Sequence, residues 1–112
     1  MTEVELSRYR GRVVIGSAGD IRIDGDGVQP KHAVIALDKN GGGERVQVLR
    51  PIQGPVAVER KGRRMGVVDT WTLADGDVIL LGSWRLTYRD LGSRQPGANR
   101  PPRRKELVTW LK

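Results

Sequence analysis

The one histidine, His32, and the absence of any cysteine decide most of what this chain can do chemically. Without a thiol there is no thiolate nucleophile, no disulfide framework and no cysteine-ligated metal. A single imidazole leaves no pair for a zinc or non-haem iron cluster. Ser17 beside His32 is a conceivable nucleophile and base, but a turn serine is the simpler reading. Asp20, Asp24 and Asp26 invite a calcium reading. A calcium loop of that kind needs flanking helices and a glutamate at its twelfth position. Here the flanks read as strands, and the twelfth position from Asp20 is Lys31. Gly41-Gly42-Gly43 lacks the lysine–serine pair and the following helix of a phosphate cradle. No catalytic residue, metal or cofactor is expected, and the chain reads as a non-enzyme.

The charged residues are more informative. The net charge is +7, with 20 Lys and Arg against 13 Asp and Glu. Residues 91–112 hold six cations against Glu106 alone, a net of +5, which leaves only +2 for residues 1–90. Within that balanced part, Arg60, Lys61, Arg63 and Arg64 crowd around Gly62. The basicity thus belongs to a tail and one loop, whereas a nucleic-acid-coating protein more often spreads it along a docking face. A solvated surface is the plain alternative for either cluster.

The elements that must position these groups are strands. Val13-Val14-Ile15, Ile21-Arg22-Ile23, Ala33 to Leu37, Arg45 to Arg50, Val56-Ala57-Val58, Val78 to Leu81 and Trp84 to Tyr88 are short apolar or alternating runs. Turn chemistry separates them: Asp24-Gly25-Asp26-Gly27, Asn40 to Gly43, Gly54-Pro55 and Asp75-Gly76-Asp77. Helical periodicity is absent, so residues 1–90 are expected to form one all-β sandwich or barrel. Val, Ile and Leu supply its core, with Trp71 and Trp84 as large fillers. Residues 91–102 are rich in Gly, Pro, Ser and Asn and read as a linker. Residues 103–112 form a basic tail, where Leu107, Val108, Trp110 and Leu111 are compatible with a short terminal helix. No run reaches the roughly 18 apolar residues of a membrane span. Glu3, Glu5 and Arg8 do not suit a signal peptide. Membrane insertion is therefore not expected, and the cytoplasm is slightly favoured as the compartment.

Four pieces in order point to a family. They are Gly11-Arg12-Val13-Val14-Ile15-Gly16, then Asp20-Ile21-Arg22-Ile23, then Gly27-Val28 with His32-Ala33-Val34-Ile35, and finally Leu73 to Gly82 with Asp75-Gly76-Asp77 inside it. Together, over roughly residues 11–88, the chain resembles the forkhead-associated (FHA) family. The resemblance implies a sandwich of about eleven strands, here with a short C-terminal tail or helix. It also implies loops at one end that read phosphothreonine on a partner. On the same resemblance Gly16, His32, Leu73, Gly76, Asp77 and Gly82 are architectural, and His32 holds the recognition loop.

The ligand positions depart from that pattern. Where the family usually has an arginine this chain has Ser17. The phosphate-binding serine is replaced by Gln29, followed by Pro30. The asparagine that clamps the peptide, sought between the strands around Val58 and Met65, is missing, and Glu59, Arg60 and Lys61 stand there instead. Ser17, Gln29, Lys31, Arg60, Lys61, Arg63 and Arg64 are therefore the candidate ligand-binding residues. The basic ones are expected in or near the two loops that face the ligand. The expectation is a non-enzymatic protein-interaction module without ordinary phosphothreonine recognition, taking a protein or peptide partner. One alternative is a phosphorylated or acidic segment bound through residues 60–64. The other, weaker one is nucleic acid bound through the basic tail.

Overall fold

In a computed structural model, residues 2–92 and 105–111 are described. The elements run β1 (Thr2–Glu5), a 3-10 turn (Leu6–Arg8), β2 (Arg12–Gly16), β3 (Ile21–Arg22), β4 (Ala33–Lys39), β5 (Arg45–Pro51), β6 (Ala57–Arg60), β7 (Arg63–Gly66), β8 (Trp71–Thr72), β9 (Val78–Leu81), β10 (Trp84–Gly92) and β11 (Lys105–Trp110). One sheet has the order β1-β11-β10-β9-β6-β7 and the other β3-β2-β4-β5-β8. The expected all-β sandwich of about eleven strands is what forms. None of the described helices is long and apolar enough to cross a membrane.

Alternation explains the two layers. In the five-stranded sheet Val13 pairs Ile35, Ile15 pairs Ala33, and Ile35 pairs Leu49. All five side chains are at most 2% exposed, so one face of that sheet is core. The six-stranded sheet answers with Val58, Ile79, Leu81, Leu86, Tyr88 and Val108. Sheet packing of this kind buries alternate residues of each strand and leaves the others to solvent. A polar bridge joins the layers inside the sandwich. Tyr88 donates its hydroxyl to Glu106 at 2.8 Å, and Gln47 donates to the other Glu106 oxygen at 3.3 Å. Trp71 and Trp84 are only partly buried and pack against the core from its margin.

The C-terminal segment corrects one expectation. Lys105–Trp110 is a strand rather than a short helix, and it lies between β1 and β10. Val108 is fully buried and Trp110 nearly so. Its apolar spacing fits either period over so few residues. The β-branched Val108 and Thr109 favour the pleated form, and two unpaired strand edges offer ladders that a nine-residue helix could not match. Leu91 and Gly92 complete β10, so the expected linker begins inside a strand. Its residues 93–102, with Arg103 and Arg104, lie outside the described residues.

A chain stopped after Gly92 loses the strand between β1 and β10, and with it the Val108, Trp110 and Glu106 contacts. We expect it to show no cooperative thermal transition by circular dichroism, where a detached tail would leave the transition unchanged.

Candidate functional site

His32 has no exposed surface. Its Nδ1 accepts from the backbone N–H of Gln29 at 3.1 Å, which places the ring proton on Nε2, and Nε2 donates to the carbonyl of Pro55 at 2.8 Å. The His32 N–H donates to Ile15, and its carbonyl accepts from Ile52 and Gln53. One residue thus ties the end of β2, the segment before β4 and the segment after β5. Two glycines make room for this. A Cβ on Gly54 would lie 2.5 Å from the imidazole, and one on Gly16 would overlap the carbonyls of Gln29 and Pro30.

Three loops therefore meet at one end of the sandwich: residues 17–20, 23–31 and 52–55. Ser17, Gln29 and Lys31 come together there. The backbone donors around Ser17, Gln29 and Lys31 are already engaged. Ser17 N–H bonds Gln29 O at 3.1 Å, Ala18 N–H bonds Pro30 O at 3.0 Å, and Gly19 N–H bonds Gly16 O at 3.2 Å. Lys31 N–H donates to the side-chain oxygen of Gln53 at 2.7 Å. What faces outward is mixed in charge. Lys31 is exposed, and so are Asp20, Asp24 and Asp26, although Asp20 accepts from Val14 N–H and the Asp24 carbonyl from the Trp84 indole. Ile52 adds apolar surface at 47% exposure. Gly82, with φ of +59°, packs against Asp26 and Val28 and closes the rim.

The basic hairpin is elsewhere. β6 starts beside Pro55, at the His32 end, and runs away from it. Its four paired residues, at about 3.3 Å each, carry the chain to Lys61 and Gly62 at the opposite end. Arg60, Lys61, Arg63 and Arg64 are thus not at the loops around His32, which corrects the expected placement. The loop that stands against His32 after β5 contains Gln53 instead. The sequence signal for it was the Pro51 and Gly54-Pro55 pair directly after a strand that pairs with β4.

Arg60 also has an occupation of its own. Its Nε and Nη2 donate to both oxygens of Asp77 at 2.7 Å, and Nη2 reaches Thr72 O at 3.0 Å. The guanidinium sits 4.8 Å from the centre of the Trp71 ring, whose indole N–H donates to Asp77 at 3.1 Å. Ala74 N–H adds a bond at 2.9 Å. Burial alone would raise the Asp77 pKa. The hydrogen bonds from Arg60, Ala74 and Trp71, with the arginine charge, outweigh it and hold the carboxyl below its usual range. Leu73 is buried nearby, and Gly76, at φ of +88°, turns the chain into Asp77. Among the described residues no group of three His, Cys, Asp or Glu side chains could hold a metal ion.

The FHA domain family model matches residues 11–82, which span both ends just described. No curated protein matches the chain. Among solved structures, the chain is similar to the Slr1951 protein of Synechocystis sp. at 16% identity, covering 93% of this chain and 84% of that one with a TM-score of 0.47.

Three tests address these contacts. Gly54→Ala should lower stability in urea unfolding by at least about 2 kcal/mol, since the ring must move or the loop must open. His32→Ala should cost about 2–4 kcal/mol by leaving Gln29 N–H and Pro55 O without partners. For Asp77, a depressed folded pKa means its contribution is complete above the unfolded value near 3.9 and is lost as pH falls through the folded value. The melting-temperature gap between the native chain and Asp77→Asn should therefore be constant from about pH 7 to 5 and shrink below about pH 4.

Proposed function

The chain belongs to the FHA domain family, whose members are protein–protein interaction modules, and from that premise we propose that it docks a protein partner through the His32 loops without ordinary phosphothreonine recognition. The observation that carries this reading is the state of the loop donors. The amides of Ser17, Ala18, Gly19, Gln29 and Lys31 all bond within the protein, and Pro30 has no N–H to offer. A phosphate beside Ser17, Gln29 and Lys31 would have to be met by side chains. Gln29 and Ser17 are neutral donors, each worth about 0.5–1.5 kcal/mol net, against roughly twice that for a charged one. Lys31 is a point charge with no planar fork, and three aspartates stand on the adjoining loops. What the rim does offer is Ile52, Gln29, Ser17 and mixed charges, a surface suited to an unmodified protein segment.

Distance argues against the phosphopeptide alternative through residues 60–64, because that hairpin lies at the other end and Arg60 is held by Asp77. Nucleic acid is disfavoured by the aromatic residues. Trp71 and Trp84 have bonded indole N–H groups, and Tyr88 and Trp110 are buried, leaving no stacking row among them. The chain is read as a binding module rather than a catalyst.

Fluorescence polarisation against a degenerate phosphothreonine peptide pool, with the unphosphorylated pool beside it at near-physiological salt, tests the reading. We expect the two pools to bind within about threefold of each other. A phosphate preference of about tenfold or more, equivalent to ~1.4 kcal/mol, that is lost in Lys31→Ala would overturn it.

A further inference from the structure

β7 is an edge strand of the six-stranded sheet, and all four of its residues are exposed. Its register to β6 pairs Arg60 with Arg63, Glu59 with Arg64, Val58 with Met65 and Ala57 with Gly66, and Val67 N–H continues the ladder to Val56 O at 2.9 Å. Antiparallel strands alternate between residues that bond the partner and residues that turn away. Val67 turns inward, so Arg64 and Gly66 direct their N–H and C=O groups outward along the open edge. Lys61, Arg63 and Arg64 enter none of the ion pairs found among the described residues, whereas Arg60, Arg85 and Arg89 are each paired. Met65 and Val68 add apolar surface along the same stretch, at 37% and 95% exposure. The hairpin tip itself is fixed, because Lys61 and Gly62 both take positive φ, 52° and 77°, as a two-residue turn requires.

From these features we propose that β7 is a second docking site, where an extended acidic segment of a partner protein adds to the sheet as a further strand. The outward backbone groups match a peptide backbone. Arg64 lies on one face of β7 and selects glutamate or aspartate beside it, Met65 on the other face accepts the apolar residues that alternate with them, and Lys61 and Arg63 add positive charge towards the hairpin tip. The same cations oppose pairing of two copies through this edge, since like charges would meet across the ladder. A nucleic acid would use the cations but neither the edge groups nor the apolar side chains.

The test uses the full chain and a synthetic peptide of about ten residues in which glutamate alternates with valine, followed by amide hydrogen exchange read by NMR. Binding should slow exchange at Arg64 and Gly66 by about tenfold or more and leave the Ile52, Gln53 and Gly54 amides unchanged. Arg63→Glu with Arg64→Glu should weaken binding at least tenfold, and the matching lysine–valine peptide should not bind. Because exchange is read on the unaltered chain, the result does not depend on the variant folding. No binding at millimolar peptide overturns the proposal, as does binding without protection at Arg64 and Gly66. Displacement of the peptide by a single-stranded oligonucleotide that binds more tightly overturns it too. A phosphate-dependent result at the His32 loops would change the proposed function and leave this inference standing.

Discussion

The buried imidazole of His32 is held from both ring nitrogens, and its position determines where three loops can run. Gln29 approaches one nitrogen, Pro55 the other, and Gly54 lies flat against the ring where no larger residue fits. The backbone of the same residue bonds Ile15 on one side and Ile52 and Gln53 on the other. Removing a partner from such an arrangement leaves buried polar groups without bonds, which costs more than the bonds contribute when made. The His32 contacts therefore fix the course of the loops, and the amides nearest Ser17, Gln29 and Lys31 are used in holding them.

A separate device ties the sheets at the other end. Arg60 extends from β6 to the Asp77 carboxylate and to the carbonyl of Thr72 on β8, while stacking near Trp71. The bidentate fork is what a lysine could not supply. Asp77 is 1% exposed and its carboxylate accepts four hydrogen bonds, so this pair is worth more than a surface ion pair and would be costly to break. The consequence for function is a division of labour within the basic cluster. One arginine is structural, and its three neighbours in the hairpin face solvent at an open sheet edge.

The two ends thus differ in kind. At the loops, scaffold glycines and a histidine fix a surface of mixed charge with few available donors. At the β7 hairpin, cations and unpaired backbone groups lie side by side on an exposed strand. Both arrangements lie within residues 11–82, the span that the FHA family model matches.

Much of the architecture was legible without coordinates. Period-two alternation in Arg45 to Arg50 and Trp84 to Tyr88, with glycine and aspartate turns between runs, already demands paired strands with one buried face. His32 stood out as a lone imidazole after a turn, and Gly76-Asp77 as a turn ahead of an apolar strand. What the chain alone could not decide was which turns share an end of the sandwich. That depends on strand direction and register, properties of pairs of segments far apart in sequence. Arg60 to Arg64 lie near no acidic residue in sequence except Glu59, so nothing local announces that Asp77 holds the first of them. Leu107 to Trp110 satisfies a helical spacing as well as a pleated one, and only the open edges of β1 and β10 make the strand the lower-energy choice. Local periodicity is written in neighbouring residues, whereas the site is written in contacts that exist only once both sheets have closed on their core.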